Sequence, residues 1–142
     1  MNHIACGIVG LFLGICVVLT GTVGISMNSF FFGILYLIIS GICAILVTNV
    51  FCTKCPIKTS CVHVLPGFIA RIWPEKKGPY TTFDLLLTII LFAIIILPPQ
   101  VFLIAYPGLF VFFWICMILA AICSNRFLCP DCKNQFCPFC RK

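Results

Sequence analysis

The stretch FDLLLTIILFAIIILPPQVFLIAYPGLFVFFWICMILAAIC, residues 83–123, carries one charge, Asp84, and is otherwise almost wholly apolar. A helix needs about 20 apolar residues to cross a bilayer, so this stretch is long enough to cross twice. The place where it turns decides the fold. Pro98-Pro99 is read as stopping or kinking the first crossing, which then covers 83–97. The second begins at Tyr106-Pro107-Gly108 and covers 107–127. The piece between them, PPQVFLIA, is too short to span. It either lies in the interface and dips back, or extends the preceding helix through a kink.

The first half of the chain repeats the theme. Residues 4–25 and 29–51 are two further uncharged runs, separated by the short polar turn SMNS. The first run lacks a basic leader and is longer than the 7–15 apolar residues of a signal peptide. IACG at 4–7 has a lipobox flavour but no apolar stretch ahead of it. The first run is therefore read as a retained helix. Composition agrees: 142 residues, 63% hydrophobic and 8% charged, against about 25% charged in soluble domains. The expectation is an all-α integral membrane protein, a single membrane domain with four transmembrane helices arranged as two antiparallel hairpins. The bilayer is its first partner.

Charge sets the expected orientation. All nine basic residues fall in two segments, 52–82 and 126–142, and the connections around 26–29 and 98–107 have none. With four spans these two segments share a side with the N-terminus. Lys and Arg are retained in short cytoplasmic loops, so both termini and the 52–82 loop are expected in the cytoplasm of a cell-membrane protein. Contact of these residues with anionic headgroups fits the same orientation. Within the loop, Phe68, Ile69, Ile72 and Trp73 between Pro66 and Pro74 suggest a short interfacial helix. Thr81 or Thr82 is placed to cap the third helix, with Asp84 in its first turn.

That orientation governs the twelve cysteines. Cys6, Cys16, Cys43, Cys116 and Cys123 lie in membrane runs and read as small hydrophobes. The other seven lie in the reducing compartment, where clustered thiols point to metal or redox chemistry. The tail CPDCKNQFCPFC offers Cys129, Cys132, Cys137 and Cys140 as two CxxC knuckles, matching an all-cysteine tetrahedral site. Over these twelve residues the tail resembles the knuckles of zinc ribbons and rubredoxins, although no glycine follows either knuckle. The loop segment CTKCPIKTSCVH offers Cys52, Cys55, Cys61 and His63; His63 reads equally as a solvated loop histidine. Two separate sites is the simpler reading, and one shared site would tie the hairpins together; in either case the two clusters are expected to be neighbours on the cytoplasmic face and to act as one structural cap. Zinc is favoured. Iron is the alternative, because Cys132, Cys137 and Cys140 reproduce the C-x4-C-x2-C spacing of some iron–sulfur proteins.

Small residues suggest where helices meet. Gly7, Gly10, Gly14, Gly21 and Gly24 fall on one face of the first helix, and the second offers Gly33, Ser40 and Ala44. Such residues permit close backbone approach in membranes, and Gly14 is expected at a helix–helix contact. Little points to catalysis. The carboxylates are Glu75, Asp84 and Asp131, and the histidines are His3 and His63. No histidine pair lies in a span to ligate haem, no phosphate loop is present, and no nucleic-acid partner is expected. Three function classes follow. One is a membrane anchor or accessory subunit with cysteine-ligated metal sites and a protein partner in the membrane or at its cytoplasmic face. The second is an electron-transfer subunit with iron. The third is a soft-metal or thiol-redox membrane protein.

Overall fold

A computed structural model of the chain describes residues 3–54, 69–70, 72–74 and 80–128. These form four long helices, with no strand among the described residues: α1 (His3–Ser26), α2 (Phe30–Phe51), α3 (Thr82–Leu103) and α4 (Pro107–Cys123). Each coincides over most of its length with a segment long and apolar enough to cross a membrane. A 3-10 turn, Cys52–Lys54, follows α2, and a π-helical turn, Ser124–Leu128, follows α4. At 1.5 Å per residue, the 22 residues of α3 rise about 33 Å, enough for the hydrocarbon core.

The interior is small and the exterior is hydrocarbon. Ile38, Leu46, Ile89, Val101 and Ile118 are among many large apolar side chains facing outward. In water such a surface would aggregate; against lipid tails it needs no covering. The inward residues repeat at helical spacing. On α3 they are Asp84, Thr88, Leu91, Ile95, Pro99 and Leu103, and on α2 Gly33, Tyr36, Ser40, Cys43 and Thr48. Buried hydroxyls are largely satisfied within their own helices. Thr20, Thr48 and Thr88 each donate to the carbonyl four residues back, at 2.7, 2.9 and 2.7 Å.

α1 is the hub. It packs against α4, α2 and α3. α2 also packs along α3, whereas α3 and α4, though joined by a short turn, touch sparingly. The second hairpin is therefore splayed, with α1 filling the angle. Val17, Leu103, Phe113 and Cys116 form the core between α1, α3 and α4, and Cys43, Leu91 and Ile95 form the core between α2 and α3.

The double proline does not end the third crossing at residue 97. The helix continues through Pro98 and Pro99 to Leu103, so of the two readings of PPQVFLIA the extension of the preceding helix holds, and the interfacial one does not. Proline has no N–H, so each one deprives the carbonyl four residues back of its donor. Those carbonyls belong to Ile94 and Ile95. Tyr36 of α2 supplies the second: its hydroxyl donates to the Ile95 carbonyl at 2.8 Å, in the interior. Neighbouring side chains that replace lost backbone donors are what make proline tolerable in membrane helices. One turn on, Gln100 donates to the Ile96 carbonyl at 3.0 Å and accepts from the Trp114 indole at 3.1 Å, which ties α3 to α4.

The glycine face of α1 is used over part of its length. A Cβ on Gly21 would sit 2.9 Å from the Tyr36 hydroxyl and 3.1 Å from Pro99, and one on Gly24 only 2.6 Å from Leu103. On α2, a Cβ on Gly33 would strike Ser26. Gly10 and Gly14 have nothing within 4 Å. The contact expected at Gly14 is absent because close approach occurs where the proline-bearing end of α3 crosses α1, a turn or more further along. Ser40 is buried as expected for the α2 seam, while Ala44 faces outward.

Candidate metal site

α2 ends in a clamp. The N-terminus of α3 is closed by a capping box: Asp84 N–H donates to Thr81 Oγ1 at 3.2 Å, and Thr81 N–H donates to Asp84 Oδ2 at 2.8 Å. The same carboxylate oxygen accepts from the Thr81 hydroxyl at 2.7 Å and pairs with the Lys54 ammonium. Asp84 is 8% exposed. A buried carboxylate needs a counter-charge and hydrogen bonds to be tolerated. Lys54 and the Thr81 cap supply both.

Tyr80 adds a second bond between the same elements. Its ring stacks on Phe51 with centroids 4.5 Å apart, and its hydroxyl donates to the Phe51 carbonyl at 3.2 Å. Thr53 is fully buried, and its hydroxyl donates to the Asn49 carbonyl. The turn Cys52–Thr53–Lys54 is thus held from both ends of the α2–α3 junction. This turn makes up the first three residues of the loop knuckle. Cys52 is half-buried in it, directly after the last residue of α2.

Of the candidate ligands, the structure describes Cys52. Cys55, Cys61, His63, Cys129, Cys132, Cys137 and Cys140 lie outside the described residues, as do Pro66, Gly67, Phe68 and Arg71 of the segment read as an interfacial helix. In that segment Ile72 N–H donates to the Ile69 carbonyl at 3.1 Å. Among the described residues, no group of three or more Cys, His, Asp or Glu side chains could hold a metal ion.

The helix packing constrains how the two cysteine segments relate. α1 and α3 touch across the bundle, which places α2 and α4 on its long diagonal. The helices that carry the segments are therefore not neighbours. α4 continues into the π turn Ser124–Leu128, which lies against α1.

The membrane cysteines behave as packing residues. Cys43 and Cys116 are buried in the two cores, and Cys16 packs against the same core cluster as Cys116. The side chain of Cys6 is outside the described set.

Sequence reasoning offered Thr81 or Thr82 as the cap with Asp84 in the first turn, of which the structure uses Thr81; it missed the reciprocal bond from Thr81 to Asp84, the Lys54–Asp84 pair and the Tyr80–Phe51 stack. The available signal was Asp84 itself, the one charge in a 41-residue apolar stretch. Such a residue calls for a basic partner, and Lys54 is the first basic residue after the preceding helix. Comparison with protein-family models, with curated proteins and with solved structures finds no match.

Proposed function

We propose that the protein is a small multi-pass membrane anchor or accessory subunit whose cytoplasmic face carries cysteine-ligated zinc. The observation that carries this reading is the pair of CxxC-bearing segments, each beginning at the end of an apolar helix, at Cys52 and Cys129. In the tail, Cys129, Cys132, Cys137 and Cys140 form an all-cysteine set. In the loop, Cys52, Cys55 and Cys61 with His63 form a Cys₃His set. Closed four-ligand zinc sites are structural: they fold a short segment that lacks a core of its own. Two such segments would give the membrane domain a rigid surface for a partner subunit. The clamp at Phe51–Lys54 supports this role, because it fixes the first ligand of the loop set against α3.

Orientation belongs to the same proposal. The nine basic residues lie beside the two cysteine segments, and the two opposite turns have none. This asymmetry supports an orientation with both segments, and both termini, in the cytoplasm of a cell-membrane protein.

A second reading, an iron–sulfur or rubredoxin-like electron-transfer subunit, is favoured by the Cys132-x4-Cys137-x2-Cys140 spacing. Anaerobic purification followed by elemental analysis and a visible spectrum separates the two. The zinc reading expects a colourless protein with about one zinc per four-ligand set. It also expects Cys129→Ser combined with Cys132→Ser to remove the tail's share. A brown protein that bleaches on reduction would establish the iron reading instead. Metal content unchanged by the double substitution would rule out the tail site.

A further inference from the structure

α3 belongs to two cores. Leu91 and Ile95 pack with Cys43 of α2, whereas Ile96 and Leu103 pack with Val17 of α1 and Phe113 of α4. The helix passes from one core to the other between Ile95 and Ile96, and Pro98 and Pro99 follow within a turn. Two consecutive prolines remove two N–H donors from the helical ladder, and sharp bends in long helices fall at such places. The last turn is tied to α4, because Gln100 accepts from Trp114 and Leu103 is fully buried in the core that includes Phe113. Among the described residues, α2 reaches the bend through Tyr36, whose hydroxyl donates to the Ile95 carbonyl at 2.8 Å. Ser40, one turn further along α2, lies beside this hydroxyl. Thr20, Thr48, Thr53 and Thr88 all donate to the carbonyl four residues back. Ser40 does not: it is 1% exposed, and its hydroxyl oxygen has no hydrogen-bond partner. A buried hydroxyl left in that condition is costly.

We propose that Tyr36 is a two-position latch on a hinge in α3. In the closed position, the one in this structure, its hydroxyl donates to the Ile95 carbonyl. In the released position it donates to Ser40 Oγ on its own helix, and α3 bends at Pro98-Pro99. The tyrosine keeps one acceptor in either position, so release does not strand its proton in the apolar interior. Packing favours the closed position: Pro99 sits beside Gly21 and Leu103 beside Gly24, where any added Cβ would collide. The bend draws Leu103 away from Val17, Phe113 and Cys116. Release therefore loosens the bundle at the end of α3 remote from the Lys54–Asp84 clamp, and leaves the core of α2 with Leu91 and Ile95 in place.

Hydrogen exchange of the full chain in lipid nanodiscs tests the latch. The amides of 100–104 report on it, because they close the turn beyond the hinge. Ser40→Ala removes the second acceptor and should slow their exchange roughly threefold to tenfold. The amides of 86–92, on the near side of the hinge, should be unaffected. On a Tyr36→Phe background no proton changes partner, so Ser40→Ala should have no effect there. Pro99→Ala returns a backbone donor to Ile95; it should slow the amides of 100–104 and cancel the effect of Ser40→Ala. If Ser40 only fills space, its substitution has the same effect on every background. The proposal fails if Ser40→Ala leaves exchange at 100–104 unchanged or faster, if it slows exchange equally in the Tyr36→Phe chain, or if Pro99→Ala exchanges like the unaltered chain.

Discussion

The contact between Tyr36 and Ile95 shows how one hydroxyl can rescue a helix. Pro99 removes a backbone donor in the middle of an apolar bundle, and Tyr36 restores it from the neighbouring helix. Tyr36→Phe should therefore destabilise the protein by about 1 kcal/mol, read as a shift in unfolding in mixed micelles. The same change should cost clearly less on a Pro99→Ala background, where the backbone N–H has returned; equal costs on both backgrounds would mean that the hydroxyl serves some other purpose. The glycines make a second residue-level prediction. Gly24→Ala would press a Cβ onto Leu103 at 2.6 Å and should cost roughly 1–3 kcal/mol, while Gly14→Ala, with open space around it, should be nearly neutral. Thermal unfolding of the two variants in detergent compares them directly. Neither the tyrosine's partner nor the choice among the five glycines was legible in the sequence. Both depend on which turn of α3 crosses α1, and helical spacing names a face without saying where along it the crossing falls.

At the scale of the elements, the helices were legible because apolar length is a physical requirement of the bilayer. α1, α2 and α4 begin within a residue of where hydropathy puts them. α3 also begins within a residue of its expected start but runs six residues past its expected end at 97, since proline propensity describes a helix alone and not one beside a tyrosine. The junction of α2 with α3 was half legible: Thr81 and Asp84 follow a local capping pattern, but the Lys54 pair joins residues thirty apart. Lys54→Met would leave Asp84 without its counter-charge and should cost about 2 kcal/mol. Lys54→Arg should retain most of the stability, because it keeps the positive charge. A shift in unfolding midpoint for Met and little for Arg is the expected pattern. If both variants match the parent, the pair does not hold the junction. Because the clamp pins the turn at Cys52, Lys54→Met should also expose this thiol, seen as faster reaction with a small maleimide in detergent.

At the scale of the whole molecule, hydropathy picked out four helices long and apolar enough to cross a membrane, and the hub position of α1 emerged only from the packing. With α2 and α4 on the long diagonal, the proposed metal segments would most simply be two separate modules. A substitution that empties the loop set, Cys52→Ser with Cys55→Ser, should then leave hydrogen exchange across 129–142 unchanged; faster exchange there would indicate one shared cap. The account rests on both cysteine segments facing the cytoplasm while the short turn after α1 faces out. Labelling with a membrane-impermeant maleimide on sealed cells measures this most directly. A Met27→Cys chain with its other cysteines replaced by serine should label from outside without permeabilisation. A chain keeping only Cys137 should label only after the membrane is opened. Labelling of Cys137 from outside, with Met27→Cys protected, would contradict the account.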